Sequence, residues 1–578
     1  MLKRFGTLIF LVVTLSSCSS DESEPPVVVE PPPEPSGFAI EAPDSVTYGE
    51  IFQLNVNFVE SNDATVAAVE ADIPLYNAST EGNTYTFVAP SLSLGASQFT
   101  VTVNASDGES QEKTIQVIDD TDMTLLSGLT RRYAFTSSNI DKYSIYQFDE
   151  NGVPLYTKSD GTTAYFPSQI AQVAQSYYTK LSTGNYTAEE EADFIAQVSW
   201  LRDNCQSVEP YKFCSWQATF ELPAYRLPDN WTSSMGQGFG ISVLISAYAW
   251  TRDETYLDVA KDALLAFAYP VAMKGVVADY DGVPWYEEYG SETDPAHVLN
   301  GFLFALAGVY DAFELMGSNT AKQYFDIGAD SLAQRIDRFD LGFGSYYDDS
   351  HLEQVAIAKG SVGDHYHELH IFQLAWLYNR VPLEPIIAAA EKFLEYDTGG
   401  LHSYPLFFEN SIKILDIEPS DTVDPSRYGP DLLTDSNWTW KRFWSSNEPI
   451  QSLQITLNNS NEDQAPIEMT AIRITGLDET DVPENIDLYS CTGEQRILVQ
   501  ANINAADHQT TGMFFDAEGY LSYTSVLTLP EPIELPCNNV ELVITPARDD
   551  NYSRFRELNI HMKQPRIMED ILGEYPVQ

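Results

Sequence analysis

The chain has 578 residues, 43% of them apolar, so it has the material for packed cores and, at its length, for about three to four domains. Its formal charge of −54 excludes a nucleic-acid binder, because phosphates select for Lys and Arg and this chain has 31 of those against 85 Asp and Glu. Acidity of this kind otherwise reads as solubility or salt adaptation and names no partner.

Residues 1–18 open with Lys3 and Arg4, followed by an apolar run from Thr7 to Leu15 that is too short to span a bilayer. The run ends in Leu15-Ser16-Ser17-Cys18, which resembles the lipobox of bacterial lipoproteins. That resemblance implies cleavage before Cys18, acylation of Cys18, and a protein held by lipid at the bacterial outer membrane. The acidic stretch Asp21-Glu22-Ser23-Glu24 resembles the surface-export signal of Bacteroidota lipoproteins and implies exposure at the cell surface. Several acyl chains give stable anchoring. Residues 19–36 are rich in Pro, favour extended conformations and form a tether.

Residues 37–118 alternate apolar and polar side chains in runs such as IFQLNVNF and QFTVTVNA, broken by Gly, Pro, Asn and Asp. The pattern predicts an Ig-like β-sandwich without a catalytic constellation, read as a spacer. From about 124 to 401 the period changes. Helices are expected near 168–182, 187–204, 237–252, 254–268, 297–316, 320–337, 365–379 and 384–396. They fall into pairs, one member nearly all apolar (GISVLISAYAW, GFLFALAGVY) and one amphipathic (YLDVAKDALLAFA). About four helical hairpins wrapped in sequence make a short α/α toroid with an open cleft. Over 402–563 the alternation returns (IQSLQITL, VELVITP), and DLLTDSNWTWKRFWSS resembles the start of discoidin-type β-sandwiches, many of which bind carbohydrates. Residues 564–578 are left as a tail. The expected fold is thus multidomain, a central all-α toroid flanked by two β-sandwiches.

With Cys18 set aside, Cys205 and Cys214 lie nine apart, and Cys491 and Cys537 share a later segment. An even remainder in an oxidising compartment reads as two disulfides. No cysteine or histidine spacing suits zinc, and neither a metal nor another cofactor is expected. Nothing in the sequence sets an oligomeric state.

Four stretches are dense in groups suited to acid–base work or sugar stacking. They are Met235-Gly236-Gln237-Gly238, Trp285-Tyr286-Glu287-Glu288-Tyr289, Tyr347-Asp348 with His351, and Tyr366-His367-Glu368-Leu369-His370. Together with VLNGF and the upstream GVPL and YFPSQIAQ, they resemble, in order and approximate spacing over about 145–395, the D-glucuronyl C5-epimerases of heparan sulfate biosynthesis. The resemblance implies catalytic roles for Glu288, Tyr289, Tyr347 and Tyr366. It also implies substrate-binding roles for Gln237, Asn300 and His370. Trp285 is read as a sugar-stacking platform, and Arg226, Lys274 and Lys359 as cations near the motifs that would grip carboxylate or sulfate. Two departures stand out: the family's β-barrel domain is absent or replaced, and Gly363-Asp364-His365 stand where the family often has a basic residue before the Tyr of its YH…H segment.

The chemistry fits those residues. A uronate C5 hydrogen lies next to a carboxylate and is barely acidic, so an enzyme must hydrogen-bond or neutralise that carboxylate and present a base to C5. A Tyr serves as base only if its pKa, about 10 when unperturbed, is drawn down. On this basis Tyr366 and Tyr289 are expected to act on opposite faces of C5, assisted by Tyr347. The expected reaction is epimerisation of D-glucuronate to L-iduronate in a polysaccharide. A polysaccharide lyase using the same proton abstraction, and a non-catalytic glycan-binding lipoprotein, are the alternatives. A glycosidase needs two opposed carboxylates, which the adjacent Glu287 and Glu288 do not supply.

Overall fold

A computed structural model describes residues 37–574, except 60–62, 126–132, 137, 159, 341–343, 350–363 and 397–412 and, beyond those, 421, 423–443, 446–450, 459–466, 477–480, 482, 492–494, 505–509, 516–520, 547–553, 556 and 563–567. The expected leader, the Cys18 lipidation, the tether, His351, Lys359 and the DLLTDSNWTW stretch lie outside the described residues.

Strands β1 (Phe38–Glu41), β2 (Ser45–Thr47), β3 (Ile51–Phe58), β4 (Val66–Ala71), β5 (Tyr76–Glu81), β6 (Thr84–Val88), β7 (Gln98–Ala105) and β8 (Ser110–Ile118) form the first domain. They make two four-stranded sheets, ordered β1-β3-β6-β5 and β2-β8-β7-β4. The alternation seen in the sequence is the burial pattern: Phe52, Leu54 and Val56 of β3 face Phe99, Val101 and Val103 of β7 across one core.

Eight helices follow: α1 (Pro167–Ser182), α2 (Ala188–Asn204), α3 (Ser234–Thr251), α4 (Thr255–Leu264), α5 (Leu299–Met316), α6 (Asn319–Ala333), α7 (Asp364–Tyr378) and α8 (Glu384–Tyr396). Their starts are written locally. Pro167 opens α1. Thr187 and Glu190 form a capping box on α2, and Ser233 and Ser318 cap α3 and α6. The odd-numbered helices pack on one another in sequence, α1 on α3, α3 on α5 and α5 on α7, and each pairs with the helix that follows it. This is a curved array of four helical hairpins with the apolar helices inside.

Glycine sets the closest crossing in the array. A Cβ on Gly238 would meet the Ala305 backbone of α5 at 2.9 Å, and a Cβ on Gly308 would strike the Gly238 backbone. Gly240 lies against the Trp216 ring and Gly236 against Ser168 of α1. The MGQGFG stretch therefore belongs to helix α3 and codes its packing.

The sandwich, expected as a spacer, is docked on the helices. Gln323 of α6 exchanges two 2.8 Å hydrogen bonds with the Ile51 backbone, Thr320 donates to the Tyr48 carbonyl at 2.7 Å, and Ser91 donates to Asp262 at 2.7 Å. Tyr76 stacks on Tyr269 with centroids 4.9 Å apart. The last part of the chain forms a five-stranded and a four-stranded sheet around a separate core that includes Leu453, Ile455, Ile472, Leu542 and Ile560. The expected tail carries a helix, α9 (Met568–Glu574), whose Met568 and Ile571 join the core of the helical array. Disulfides join Cys205 to Cys214 and Cys491 to Cys537. Among the described residues, α5 alone is long and apolar enough to cross a membrane, and 89% of it is buried as a core helix.

Candidate active site

The hairpin of strands Val277–Tyr280 and Val283–Tyr286 carries the chain to the mouth of the array. There residues 286–290 are pinned from several sides. Ser234 at the start of α3 donates its amide to the Glu287 carbonyl at 2.8 Å and its hydroxyl to the Tyr286 carbonyl at 2.9 Å. Glu287 donates its amide to the Val276 carbonyl at 2.8 Å, and Gly290 donates to Thr232 at 2.9 Å. Side chains of adjacent residues on this pinned stretch point to different neighbours, which separates Glu287 from Glu288.

Glu287, fully buried, holds the loop before α5: its carboxylate accepts the His297 amide at 3.2 Å and lies 2.6 Å from His297 Nδ1. His297 has a left-handed backbone (φ 51°) and stacks on Tyr280 at 3.9 Å. Glu288 turns the other way. Its carboxyl is hydrogen-bonded to Tyr289 and Tyr347, whose hydroxyls lie 3.1 Å from each other. Its Oε2 has no hydrogen-bond partner among the described residues and fills the space a Cβ on Gly301 would take. Gly301 in the first turns of α5 is thus what admits this carboxyl.

Tyr347 is placed by backbone bonds to the same helix start: Leu299 donates to the Tyr347 carbonyl at 3.0 Å, and Asp349 donates to Ala296 at 3.2 Å. Tyr366, at the start of α7, meets the Tyr347 ring edge-on at 4.7 Å. Tyr225 stacks on Tyr289 at 4.2 Å and donates to Asp348 Oδ2 at 3.3 Å. Phe166, Phe220, Trp231 and Tyr156 complete an aromatic cluster that is separate from the main core. Glu288, Tyr289, Tyr347 and Tyr366, named from sequence, therefore share one cup.

The cup's electrostatics follow from its dryness. Burial, aided by the charges of Glu287 and Asp348, pushes the Glu288 carboxyl up to about 8, so it is a neutral acid near pH 7. Burial and then the Glu288 charge push Tyr289 and Tyr347 well above the ordinary phenol value. Those two groups are phenols and hydrogen-bond donors, which runs against the expectation that Tyr289 is a ready base.

The other sequence-derived positions divide. Gln237 is corrected to a structural brace: its side chain donates to the Cys214 and Ala263 carbonyls at 3.0 and 3.1 Å and accepts from the Trp216 amide at 3.1 Å. That leaves no hydrogen for a sugar. Trp285 is likewise corrected: it is 0% exposed and stacked between Phe302 at 4.0 Å and Phe339 at 5.6 Å. His370 lies 2.7 Å from Ser345 Oγ, which His367 also approaches at 3.0 Å, so both tie α7 to the segment bearing Tyr347. Asn300 is buried beside Gly301, and its carbonyl accepts from Gln373 at 3.2 Å. Arg226 is half exposed, 3.9 Å from Asp294, and Lys274 donates to the Asn230 carbonyl at 3.0 Å. Sequence reasoning missed Tyr225, Asp348 and Gly301 as parts of the site; Asp348 was visible only as the neighbour of Tyr347. No group of three or more His, Cys, Asp and Glu suited to a metal occurs among the described residues.

A desolvated carboxyl held neutral and ringed by phenols is suited to acid–base work. Residues 210–395 match the family model described as the D-glucuronyl C5-epimerase C-terminus. The chain is similar to the D-glucuronyl C5-epimerase of Caenorhabditis elegans, 35% identical over 185 residues that make up 30% of this chain and 30% of that protein. An uncharacterized protein of Methanocaldococcus jannaschii is 32% identical over 188 residues, 32% of this chain and 58% of that one. The chain thus spans less than two thirds of either relative. Among solved structures, a family 32 carbohydrate-binding module of C. perfringens, in complex with galactose, covers 25% of this chain and 91% of its own at 12% identity. Its TM-score is 0.18, a likeness that carries no argument.

Proposed function

We propose that this protein epimerises D-glucuronate to L-iduronate at C5 within an anionic, uronate-containing polysaccharide. The observation that carries the reading is the Glu288 carboxyl, buried between Tyr289 and Tyr347 and kept protonated near neutral pH. A proton-bearing carboxyl is what a uronate carboxylate needs as its C5 hydrogen leaves, because it supplies a hydrogen bond to the enediolate oxygen as charge moves there. An ionised Glu288 would repel that charge. Tyr289 and Tyr347 share the task as neutral donors. Tyr366, against the edge of Tyr347, is the phenol that returns a proton to the second face of C5. The family match over 210–395 and the shared placement of the four residues support this assignment. In the acidic surroundings of this chain, Arg226, the residue after Tyr225 and half exposed, is a cation available to hold the polymer.

The test is incubation of the protein with a panel of glucuronate polymers in deuterated water, with C5 deuterium and ultraviolet absorbance read together. Deuterium at C5 without chain cleavage is expected, and Glu288→Ala, which removes the donor, should lower its rate on the order of 10²–10³-fold. New absorbance from an unsaturated uronate would mean elimination instead; no exchange with any uronate polymer would remove the reading.

A further inference from the structure

We propose that Tyr225 takes the C5 hydrogen while passing its own phenolic proton to Asp348, so that the site works as a divided carboxyl pair with Glu288 as acid and Asp348 as final proton acceptor. This rests on the uronate epimerase reading and supplies the base that reading lacks.

Tyr225 ends the short turn Pro223–Tyr225, and its successor Arg226 is left-handed at φ 51°. Leu222 and Leu227 bridge the turn from both sides, with the Leu222 amide donating to Leu227 at 3.0 Å. That clasp aims Tyr225 inward, where its ring covers Tyr289 at 4.2 Å with an interplanar angle of 23°. Its hydroxyl donates to Asp348 Oδ2 at 3.3 Å across 123 residues of sequence. Tyr225 is 8% exposed, and Asp348 is fully buried. Contacts thus run from Tyr366 through Tyr347 and Tyr289 to Tyr225, with Glu288 beside Tyr289 and Tyr347 and Asp348 behind Tyr225.

A phenolate cannot wait in such a place. Burial and the Asp348 charge push Tyr225 far above the ordinary phenol range, so it can gain a proton only while losing one. Asp348 is already placed to receive it. The two carboxyls also sort each other: the charge of Asp348 helps hold Glu288 neutral. Paired acids pushed apart in this way divide into a donor and an acceptor.

The steps balance. The C5–H bond breaks, its proton bonds to the Tyr225 oxygen, and the Tyr225 hydroxyl proton moves to Asp348 Oδ2. The C–H electron pair enters the bond between C5 and the carboxyl carbon, and the resulting oxygen charge is held by the Glu288 proton. C5 then takes a proton from the Tyr366 hydroxyl on its other face, and the carboxylate re-forms. Solvent reprotonates Tyr366 and deprotonates Asp348. Asp348 acts through Tyr225 and is a positioning residue in this scheme.

The test compares wild type, Tyr225→Phe, Asp348→Asn and Asp348→Glu for C5 exchange, and for the solvent isotope effect on proton abstraction. Tyr225→Phe keeps the stacked ring and loses only the hydroxyl, so it decides the matter if an Asp348 variant does not fold. Expected are losses of about 100-fold or more in Tyr225→Phe and Asp348→Asn. Partial recovery is expected in Asp348→Glu, and the solvent isotope effect should vanish from the residual Asp348→Asn reaction. Exchange within threefold of wild type in Tyr225→Phe overturns the relay while leaving the epimerase reading intact. Absence of exchange in wild type overturns both.

Discussion

Two buried polar side chains in the helical array, Gln237 and Glu288, behave in opposite ways. Gln237 sits in the first turn of α3, toward α4 and the Cys214–Trp216 segment, and its amide is spent on three backbone groups. Glu288 sits at the array's mouth with one carboxyl oxygen unpartnered among the described residues, and with its proton held by burial. A satisfied buried polar group fixes a fold; an unsatisfied one with a displaced pKa is poised for chemistry. The two sites lie within one packed body, so the difference comes from their partners and not from depth.

The comparison can be broken at Gly301. A Cβ there would occupy the space of the Glu288 carboxyl, whereas Gly→Ala inside a helix is ordinarily stabilising by up to about 1 kcal/mol. Gly301→Ala should therefore cut C5 exchange by about 10–100-fold while circular dichroism still shows the folded helical array, the crowding against Glu288 offsetting the helix gain. Unchanged exchange would mean that Glu288 need not lie where it does.

A second variant sharpens the other side. Gln237→Leu should cost about 2–4 kcal/mol in chemical denaturation, because three buried backbone groups lose their partner. The fraction that remains folded should keep the wild-type pH profile. A shifted profile would bring Gln237 back into the site.

The smallest expected effect concerns pH. The Glu288 pKa is raised on folding from about 4.5 to about 8, so the stability associated with this side chain is full below about pH 4.5 and is lost as pH rises toward and through 8. Glu288→Gln should match wild type in urea melts near pH 4.5 and exceed it at pH 9 by on the order of 1–3 kcal/mol. Equal stability at both pH values would contradict a desolvated carboxyl.

Much of this was legible in the sequence, and the reasons are local. Apolar periodicity placed the helices to within a few residues, and Pro167, Thr187 and Ser233, which act on their own turns, fix the starts in the structure. The resemblance in motif order drew Glu288, Tyr289, Tyr347 and Tyr366 together. What stayed hidden depends on partners distant in sequence. The hydrogen bond from Tyr225 to Asp348 spans 123 residues, and the docking of Ile51 on Gln323 spans 272. Trp285 and Gln237 misled because an aromatic or an amide beside a catalytic motif looks the same whether it faces a sugar or a core. Apolar residues at 568 and 571 were too few to announce α9 without the groove they fill.

The central claim is that Glu288 carries its proton at neutral pH. Infrared difference spectroscopy between wild type and Glu288→Gln tests it directly. A protonated-carboxyl C=O band at pH 7 that fades as pH passes about 8 is the predicted result. A difference spectrum showing only carboxylate bands at pH 7 would contradict it.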